Sequence, residues 1–418
     1  MNKAGSVYLA IMTSPTLPGI QGVPFASLAE EFGTPLYVYD ADTILRQIRL
    51  LRESFDQVRI KYAAKALTNL SILRLMKQQG IGVDVVSIQE AELALLAGFM
   101  PAEIMFTPNC VAFEEIVRGV ELGLSINLDN LPALEKFGAQ YGPGYPCVIR
   151  LNPDILAGGN YKISTGHRHS KFGISIHQAD KIRELVSRYC IDLRGLHIHT
   201  GSELTDLDVF MKMADILFSF AREFSSVRLL DFGGGLKVPY HPGDSRTDVQ
   251  ELGRRLSAAF RDFQKSEGRE LELWLEPGKF LVSEAGVLLV RTNVIKQTPG
   301  ATFAGVDSGL NHLIRPMMYD AYHTILNVSN PEGAKRTYTV VGNICETDTF
   351  ALDRELPEVR ENDLLVICNA GAYGYSMAST YNSRFRPAEV LVLNGQARLI
   401  RKRDTLEQLL AGQVDIFK

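Results

Sequence analysis

Residues 61–69 read Lys61-Tyr-Ala-Ala-Lys65-Ala-Leu-Thr-Asn69 and contain the lysine on which the prediction of fold and function depends. A short apolar strand precedes this stretch, and an amphipathic helix is predicted to follow it. Lys65 stands just past the strand end with only alanines beside it. A lysine directed into an enclosed site is suited to Schiff-base chemistry. The alternative is a lysine whose stem packs on apolar groups while its ammonium reaches water.

The composition is that of a globular protein. Of the 418 residues, 46% are hydrophobic and 22% are charged, as in soluble globular chains. A net charge of −4 without a basic run argues against nucleic-acid binding. No apolar run is long enough to span a bilayer, and no signal peptide is evident. The five cysteines are scattered and form no disulfide or CxxC pattern. We therefore expect a cytoplasmic protein.

Strand and helix patterns alternate regularly through the first two thirds of the chain. Eight apolar strands are predicted, at residues 58–62, 82–86, 104–107, 124–128, 146–151, 193–199, 227–232 and 271–276. This alternation predicts an α/β fold, a closed (β/α)8 TIM-like barrel over residues 35–280. Extended segments and an Asn394-Gly395 turn then predict a second, mostly antiparallel β domain over residues 281–418. We expect the N-terminal segment 1–34 to join that domain.

Distinctive side chains follow the carboxyl ends of the predicted strands, where a barrel holds its active site. They are Lys65, Asp84, Ser87, Arg150, His197, His199, the run Gly233-Gly234-Gly235, Glu276 and Lys279. The glycine run, together with Pro277-Gly278 after the eighth strand, suits a phosphate, because glycine lets backbone N–H groups approach its oxygens. Ser202 would add a hydroxyl donor.

The alternating periodicity of a strand places His197 and His199 on one face. A metal pair, two core histidines, or an imidazole lying against an aromatic cofactor ring would each explain them. No carboxylate or third histidine lies at matching sequence spacing, so we expect no metal and prefer the cofactor for His199. Glu276 would then pair with the ring nitrogen of a lysine-bound pyridoxal 5′-phosphate, unless it only caps or pairs locally.

Several motifs together resemble the alanine-racemase-like pyridoxal-phosphate decarboxylases, and within them the diaminopimelate decarboxylase family, over nearly the whole chain. The motifs are Tyr62-Ala-Ala-Lys65-Ala, Val83-Asp84-Val-Val-Ser87, Ser164-Thr-Gly-His-Arg-His-Ser170-Lys171-Phe-Gly173, His197-Ile-His199-Thr-Gly-Ser202, Gly233-Gly-Gly235, Glu276-Pro-Gly278-Lys279, Asn311-His-Leu-Ile-Arg315-Pro-Met-Met-Tyr319, Cys345-Glu346 and Gly371-Ala-Tyr373-Gly-Tyr-Ser-Met-Ala-Ser.

The resemblance implies a homodimer with shared active sites that removes carbon dioxide from meso-2,6-diaminopimelate to give L-lysine. It implies that Lys65 forms the Schiff base with pyridoxal 5′-phosphate, His199 stacks on the ring and Glu276 pairs with the ring nitrogen. The implied cofactor-binding residues also include Asp84, Ser202, Gly234, Gly235, Gly278, Lys279 and Tyr373.

For the substrate, the resemblance implies that Arg315 and Tyr319 hold the distal carboxylate and that Glu346 holds the distal ammonium. Cys345 would be the acid, reaching the site with Glu346 from the partner subunit. Lys279 and Tyr373 would also contact substrate. The family usually has arginine where Lys279 stands, and the loss of a bidentate fork bears on which substrate is bound.

Other interpretations remain open at this point. Cys345 could be a small buried hydrophobic residue, and Arg315 could be an ordinary surface residue. The substrate could be ornithine, arginine, carboxynorspermidine or a carrier-bound glutamyl group, although Arg315 and Glu346 favour a substrate with charges at both ends. A non-catalytic homologue that binds the cofactor or a partner is the alternative outside the enzymes.

Overall fold

The computed structural model describes residues 19–157 and 165–417, and the chain divides into two compact units. The first, called here the barrel unit, contains Gln47–Val238 and Ser245–Phe280. The second, called the β unit, contains the described residues up to Arg46, Pro239–Asp244 and the chain from Leu281 onward.

The described strands are β1 (Gly19–Ile20), β2 (Val23–Pro24), β3 (Leu36–Asp40), β4 (Val58–Ala63), β5 (Gly82–Val85), β6 (Ile104–Phe106), β7 (Ser125–Leu128), β8 (Cys147–Asn152), β9 (Ile174–Ser175), β10 (Leu193–Ile198), β11 (Leu229–Asp231), β12 (Glu272–Leu275), β13 (Gly286–Gln297), β14 (Thr302–Val306), β15 (Ile325–Asn327), β16 (Lys335–Val341), β17 (Thr349–Pro357), β18 (Leu364–Ile367), β19 (Ala388–Leu393) and β20 (Gln396–Arg401). The described α-helices are α1 (Phe25–Phe32), α2 (Ala41–Ser54), α3 (Leu70–Gln78), α4 (Ile88–Ala97), α5 (Phe113–Glu121), α6 (Leu131–Tyr141), α7 (Ala179–Arg188), α8 (Leu207–Glu223), α9 (Val249–Glu267), α10 (Lys279–Val282), α11 (Arg315–Tyr319) and α12 (Leu406–Leu410).

Eight parallel strands close the barrel unit. Their order is β10-β11-β12-β4-β5-β6-β7-β8, and β8 pairs with β10 to complete the ring. The strands are almost wholly buried, as expected when helices cover a parallel sheet. The predicted closed barrel is confirmed, and the carboxyl ends of its strands meet at one rim.

Side-chain caps define where the barrel helices begin. Asn69, Ser87, Asn130, Asp206 and Asp248 each accept a hydrogen bond from a backbone N–H of the first turn of α3, α4, α6, α8 and α9, respectively. Such caps satisfy N–H groups that have no partner within the helix. Ser87, which the sequence placed among the rim residues, therefore has a structural role at α4.

The β unit is built on a mixed sheet with mainly antiparallel pairs. Its strand order is β17-β16-β14-β13-β3-β19-β20, with β18 also pairing with β13 and β15. The predicted Asn394-Gly395 hairpin joins β19 to β20, and both turn residues have positive φ. A buried apolar cluster fills this unit, with contributions from α1, β3, β13, β18 and β19.

The predicted barrel boundary at residue 35 is wrong. β3 lies in the sheet of the β unit, antiparallel to β13 and parallel to β19, and the barrel unit begins at Gln47. The helix α2 was not predicted, although its buried Ile44, Ile48 and Leu51 recur at helical spacing. Residues 19–34 belong to the β unit, whereas residues 1–18 lie outside the described part. Among the described helices, none is long and apolar enough to cross a membrane.

Candidate active site

The strand register places the charged residues of the rim next to one another. On β10, His197 is the register partner of Arg150 on β8 and of Asp231 on β11. Glu276 follows the end of β12, two positions beyond Trp274, the register partner of Asp231. Because parallel neighbours in register present their side chains to the same face, these residues form one polar group inside the barrel.

Lys65 lies on a short 3-10 turn, Ala64–Ala66, immediately after β4. Gly278 packs against this turn so closely that an added Cβ would lie 3.2 Å from the Cβ of Ala66. Lys65 itself is exposed, which corrects the expectation of an enclosed ammonium. The turn carries the residue past the strand end instead of into the barrel interior. Its charge acts on Asp84, His199 and Glu276, so the ammonium faces the rim.

Glu276 is a buried, ionised carboxylate. Its Oε2 lies 3.2 Å from Nε2 of His197, and Oε1 has no hydrogen-bond partner among the described residues. Burial raises the pKa of Glu276, but His197 and the charge of Lys65 outweigh burial and lower it to about 2. A charged oxygen left without a partner in a buried site is costly, so this atom is the natural place for a ligand N–H.

Asp231 lies beside Glu276 and has the opposite protonation tendency. Its Oδ1 accepts a hydrogen bond of 2.7 Å from the backbone N–H of Gly233, while Oδ2 is buried without a partner in the described part of the chain. Burial and then the charge of Glu276 raise the pKa of Asp231 well above its usual value. We interpret Asp231 as the protonated member of the pair, because a single proton would give its Oδ2 a hydrogen to donate toward Glu276.

A metal ion is a poorer explanation of this cluster. Single ligand-type atoms of His197, Asp231 and Glu276 lie within 4.8 Å of one another, a proximity that sequence spacing did not reveal because the three residues come from different strands. However, the buried Arg150 already supplies positive charge to Asp231 and Glu276, and the ammonium of Lys65 supplies it to Glu276. Added positive charge would meet repulsion there.

His199 is held by the glycine run. The backbone N–H of Gly234 donates to its Nδ1 over 3.2 Å. An added Cβ at Gly233 would lie 2.7 Å from that same nitrogen, so this close approach requires glycine. Burial and the charges of Arg150 and Lys65 lower the pKa of His199 well below its usual value. His199 is therefore a neutral ring of fixed orientation at the rim.

A buried polar chain that the sequence analysis missed supports the other side of the rim. Asn127 on β7 contacts Nδ1 of His197 at 2.8 Å and Oγ1 of Thr107 at 3.3 Å. Thr107 in turn donates to Asp84 over 2.7 Å. The sequence contained a signal for these residues, because both are polar side chains at the carboxyl ends of apolar strands. A buried amide such as that of Asn127 requires hydrogen-bond partners.

Lys279 has a partner that was not predicted. It is buried, and its Nζ lies 3.0 Å from Oε1 of Glu203 and 3.2 Å from Oγ of Ser202. Glu203 has a positive φ of 68°, which is uncommon outside glycine. The predicted phosphate-binding residues Ser202 and Lys279 are thus adjacent, and their contact with phosphate stays a prediction.

In the β unit, Arg315 begins α11 and is buried, which excludes the interpretation as a surface residue. Its guanidinium carbon lies 5.1 Å from the ring centroid of Tyr240 and 5.8 Å from that of Tyr319. Its Nε is buried and has no hydrogen-bond partner among the described residues. Two aromatic rings therefore orient a guanidinium that retains a donor for an anionic group.

Cys345 in the β unit is exposed, so it is not a buried hydrophobic residue. Asn382 Nδ2 donates to its Sγ over 3.3 Å, and the hydroxyl of Tyr381 lies 3.6 Å from Sγ. The same hydroxyl donates to Glu346 over 2.8 Å. Tyr381 and Asn382, which the sequence analysis did not select, therefore contact the side chains of the adjacent residues Cys345 and Glu346.

The remaining predicted site residues are also placed. Tyr373 is half-buried in the β unit and has a positive φ of 56°, and Gly235 follows Gly234 at the rim of the barrel unit. Ser164, the first residue of its motif, lies outside the described residues. In the part of that motif that is described, the carbonyls of His167 and Phe172 accept hydrogen bonds from Asn152 Nδ2.

Comparisons with known proteins agree with this geometry. The family described as "Pyridoxal-dependent decarboxylase, pyridoxal binding domain" matches residues 41–283. A diaminopimelate decarboxylase of Methanothermobacter thermautotrophicus is 40% identical, with 94% of this chain and 95% of that protein covered. The chain belongs to the diaminopimelate decarboxylase family of pyridoxal-dependent decarboxylases. The corresponding Escherichia coli K12 protein is 39% identical over 92% of this chain and 94% of its own length.

Solved structures of this family have the same fold. The diaminopimelate decarboxylase of M. jannaschii, in co-complex with L-lysine, matches with a TM-score of 0.87 and 33% identity, covering 94% of this chain and 95% of that chain. The Helicobacter pylori enzyme complexed with L-lysine matches with a TM-score of 0.85 and 32% identity, covering 93% and 98%, respectively. Both family members are therefore similar to this chain across both units.

Proposed function

We propose that this chain removes carbon dioxide from meso-2,6-diaminopimelate to give L-lysine, with pyridoxal 5′-phosphate as its cofactor. The observation that carries the proposal is Glu276 at the same barrel rim as Lys65, a buried carboxylate with one oxygen that has no hydrogen-bond partner in the described part of the chain. The similarity to diaminopimelate decarboxylases supports the choice of substrate.

The residues present fit the cofactor. Lys65 would hold its aldehyde carbon, and Oε1 of Glu276 would accept a hydrogen bond from the protonated ring nitrogen. The neutral ring of His199 would lie against the cofactor ring, and Ser202, Gly234, Gly235, Gly278, Lys279 and Tyr373 would hold the phosphate, with Asp84 near Lys65. When bound, the cofactor accepts the electron pair that remains on the substrate as carbon dioxide leaves.

Substrate recognition is assigned to the β unit. Arg315, whose buried Nε has no hydrogen-bond partner within residues 19–157 and 165–417, would bind the distal carboxylate together with Tyr319. Glu346 would bind the distal ammonium, and Cys345 would donate a proton to the carbon that has lost carbon dioxide. A fixed guanidinium recognises a carboxylate better than a flexible point charge does.

The assembly is also proposed. In a homodimer, Cys345 and Glu346 of one subunit would reach the barrel of its partner, so that each active site is shared. The exposure of both residues in the single chain is compatible with a contact of this kind. We place the enzyme in the cytoplasm, where its free cysteines would stay reduced.

The first test is covalent labelling. Purified protein should be yellow, and borohydride reduction followed by peptide mapping should leave a pyridoxyl group on Lys65. Lys65→Arg, which keeps the charge but cannot form the imine, should lose the label and at least about 10⁴-fold of the decarboxylation rate, a small part of what enzymes typically provide. A label on any other lysine, or a colourless protein that cannot be reconstituted, contradicts the assignment.

The second test separates substrates. Carbon dioxide release should be measured with meso-2,6-diaminopimelate, ornithine, arginine and carboxynorspermidine on the same protein. We expect the first to have the highest kcat/KM, because it carries both a distal carboxylate and a distal ammonium. A higher value for ornithine would assign a different decarboxylase, and a labelled protein inactive on every compound would favour a cofactor-binding homologue.

A further inference from the structure

Four residues of the β unit form what we call the thiol cluster: Cys345, Glu346, Tyr381 and Asn382. Asn382 contacts Cys345 twice, because its Oδ1 accepts the backbone N–H of Cys345 over 3.1 Å while its Nδ2 donates to Sγ over 3.3 Å. A backbone N–H can only donate, so Oδ1 must face it and Nδ2 must face the sulfur. The orientation of the amide is thereby fixed.

The backbone holds this arrangement from both sides. Asn382 has a positive φ of 55°, a conformation that asparagine tolerates better than most residues. On the cysteine side, Ile344 donates its backbone N–H to Asp348 over 2.8 Å. Arg384 donates to the carbonyl of Asn343 over 3.2 Å, which ties the segment after Asn382 to the segment before Cys345.

We propose that Asn382 and Tyr381 are positioning residues with separate tasks: Asn382 directs the Cys345 thiol as a hydrogen-bond donor to its sulfur, and Tyr381 fixes the carboxylate of Glu346. The proposal rests on the proposed function, which gives Cys345 the proton transfer and Glu346 the distal ammonium. It adds two residues that neither the sequence motifs nor the proposed function included.

Asn382 acts on the charged form of the sulfur. When the S–H bond of Cys345 breaks and a C–H bond forms at the carbon that lost carbon dioxide, the electron pair stays on sulfur as a thiolate. The Nδ2–H of Asn382 stabilises that anion until a proton from water restores the thiol. The hydrogen bond from Asn382 is the largest influence on the pKa of Cys345 and lowers it, while the charge of Glu346 raises it.

Tyr381 acts mainly on Glu346. Its hydroxyl is closer to Oε1 of Glu346, at 2.8 Å, than to Sγ of Cys345, at 3.6 Å. Hydrogen bonding to Glu346 and then to Cys345 raises the pKa of Tyr381, so the phenol keeps its proton and remains a donor. Loss of this hydroxyl should therefore weaken substrate binding more than it slows proton transfer.

The test of Asn382 is thiol reactivity against pH. Asn382→Asp keeps the acceptor for the backbone N–H and tolerates positive φ, but replaces the donor to sulfur with a carboxylate oxygen. We expect iodoacetamide labelling of the Cys345 peptide at pH 7, followed by mass spectrometry, to slow about tenfold, the change that one pKa unit produces in the thiolate fraction. The Cys190 peptide, also exposed, serves as the internal control. Turnover should show kcat lowered about tenfold, a part of the 10²–10⁴-fold that a general acid provides, with KM within about twofold.

The test of Tyr381 is the opposite kinetic pattern. Tyr381→Phe should raise KM for meso-2,6-diaminopimelate about fivefold, near the effect of one net hydrogen bond, and leave kcat within about twofold. An unchanged rate of Cys345 labelling in both Asn382→Asp and Asn382→Gly would overturn the role assigned to Asn382. A fall in kcat without a rise in KM in Tyr381→Phe would overturn the role assigned to Tyr381. Labelling of Cys345 does not require turnover. A wild-type protein without decarboxylase activity would therefore contradict the proposed function, and the labelling rates would still test whether Asn382 donates to the thiol.

Discussion

In the barrel unit, Asp84, Asp231 and Glu276 are all buried, whereas in the β unit Cys345 and Glu346 are exposed. The protonation of the three barrel carboxyls is governed first by burial and then by their neighbours. For Cys345, the hydrogen bond from Asn382 comes first and burial counts for less.

Because of this difference, we expect substitutions in the two units to have different effects on stability. A carboxylate inside the barrel depends on strands that close a ring, so a change there affects the free energy of unfolding as well as catalysis. A thiol held by two side chains on a surface loop is adjustable without disturbing the core. Variants in each unit test whether this contrast holds.

Replacing the charge in the barrel should have the largest effect in this comparison. Glu276→Gln keeps the shape of the side chain but removes the anion that would pair with the cofactor ring nitrogen. We expect kcat to fall about 10²–10³-fold, as when one preorganised electrostatic partner is removed. The measurement is steady-state decarboxylation with the cofactor at saturation.

A matched control lies at the other end of the same strand. Glu272 is exposed and pairs with Arg59 at 3.2 Å, where an ion pair contributes little. Glu272→Gln should keep kcat within about twofold. Equal losses in both variants would mean that any acid on β12 matters for folding, and a normal rate in Glu276→Gln would remove the contrast between the units.

Asp231 tests the inferred shared proton. Its folded-state pKa is raised, so the contribution of Asp231 to wild-type stability falls as pH rises above the unfolded value of about 4 toward the folded value. Asp231→Asn imitates the protonated acid: its oxygen still accepts from Gly233 and its amide donates toward Glu276. The melting temperature of the variant relative to wild type should therefore be higher at pH 8 than at pH 5.

Asp231→Ala separates the two contacts of this residue. It leaves the buried N–H of Gly233 without its acceptor, and we expect its free energy of unfolding to be about 1–3 kcal/mol below that of Asp231→Asn at both pH values, because neither variant titrates there. Chemical denaturation at pH 5 and pH 8 measures it. If Asp231→Asn is less stable than wild type and the gap widens with rising pH, Asp231 is ionised in the fold and the shared proton is wrong.

The barrel could be predicted from the sequence because the evidence for each of its strands is local. Each strand is an apolar run of a few residues, and the rim residues follow those runs at once, so Lys65, Glu276 and the glycine run could be selected without knowing any long-range contact. The strand β3 went to the wrong unit for the same reason. An apolar run specifies a strand but not the sheet it joins, which depends on pairing with β13 and β19, far along the chain.

A second reason explains why several site residues were not predicted. Asn127, Glu203, Asp231, Tyr381 and Asn382 act through partners that are distant in sequence, such as His197 for Asn127 and Cys345 for Asn382. Nothing in their local pattern distinguishes them from ordinary turn or strand residues. Positive φ at Glu203 and Asn382 marks both as unusual, but a conformation of this kind is visible only in the folded chain.

The smallest effect is expected at Lys279, where the family usually has arginine. The ammonium is buried against Glu203 at 3.0 Å and Ser202 at 3.2 Å, so its charge is already paired inside the barrel unit. Lys279→Arg keeps that charge and adds a fork that could engage both partners together. We expect KM for meso-2,6-diaminopimelate to change by less than about threefold, within the net value of one hydrogen bond, and kcat to stay constant. Steady-state kinetics on both proteins measures it. A tenfold or larger change in KM would show that the geometry of this cation, and not its charge alone, governs substrate binding. The buried pair of Lys279 and Glu203 would then be as adjustable as the exposed thiol cluster.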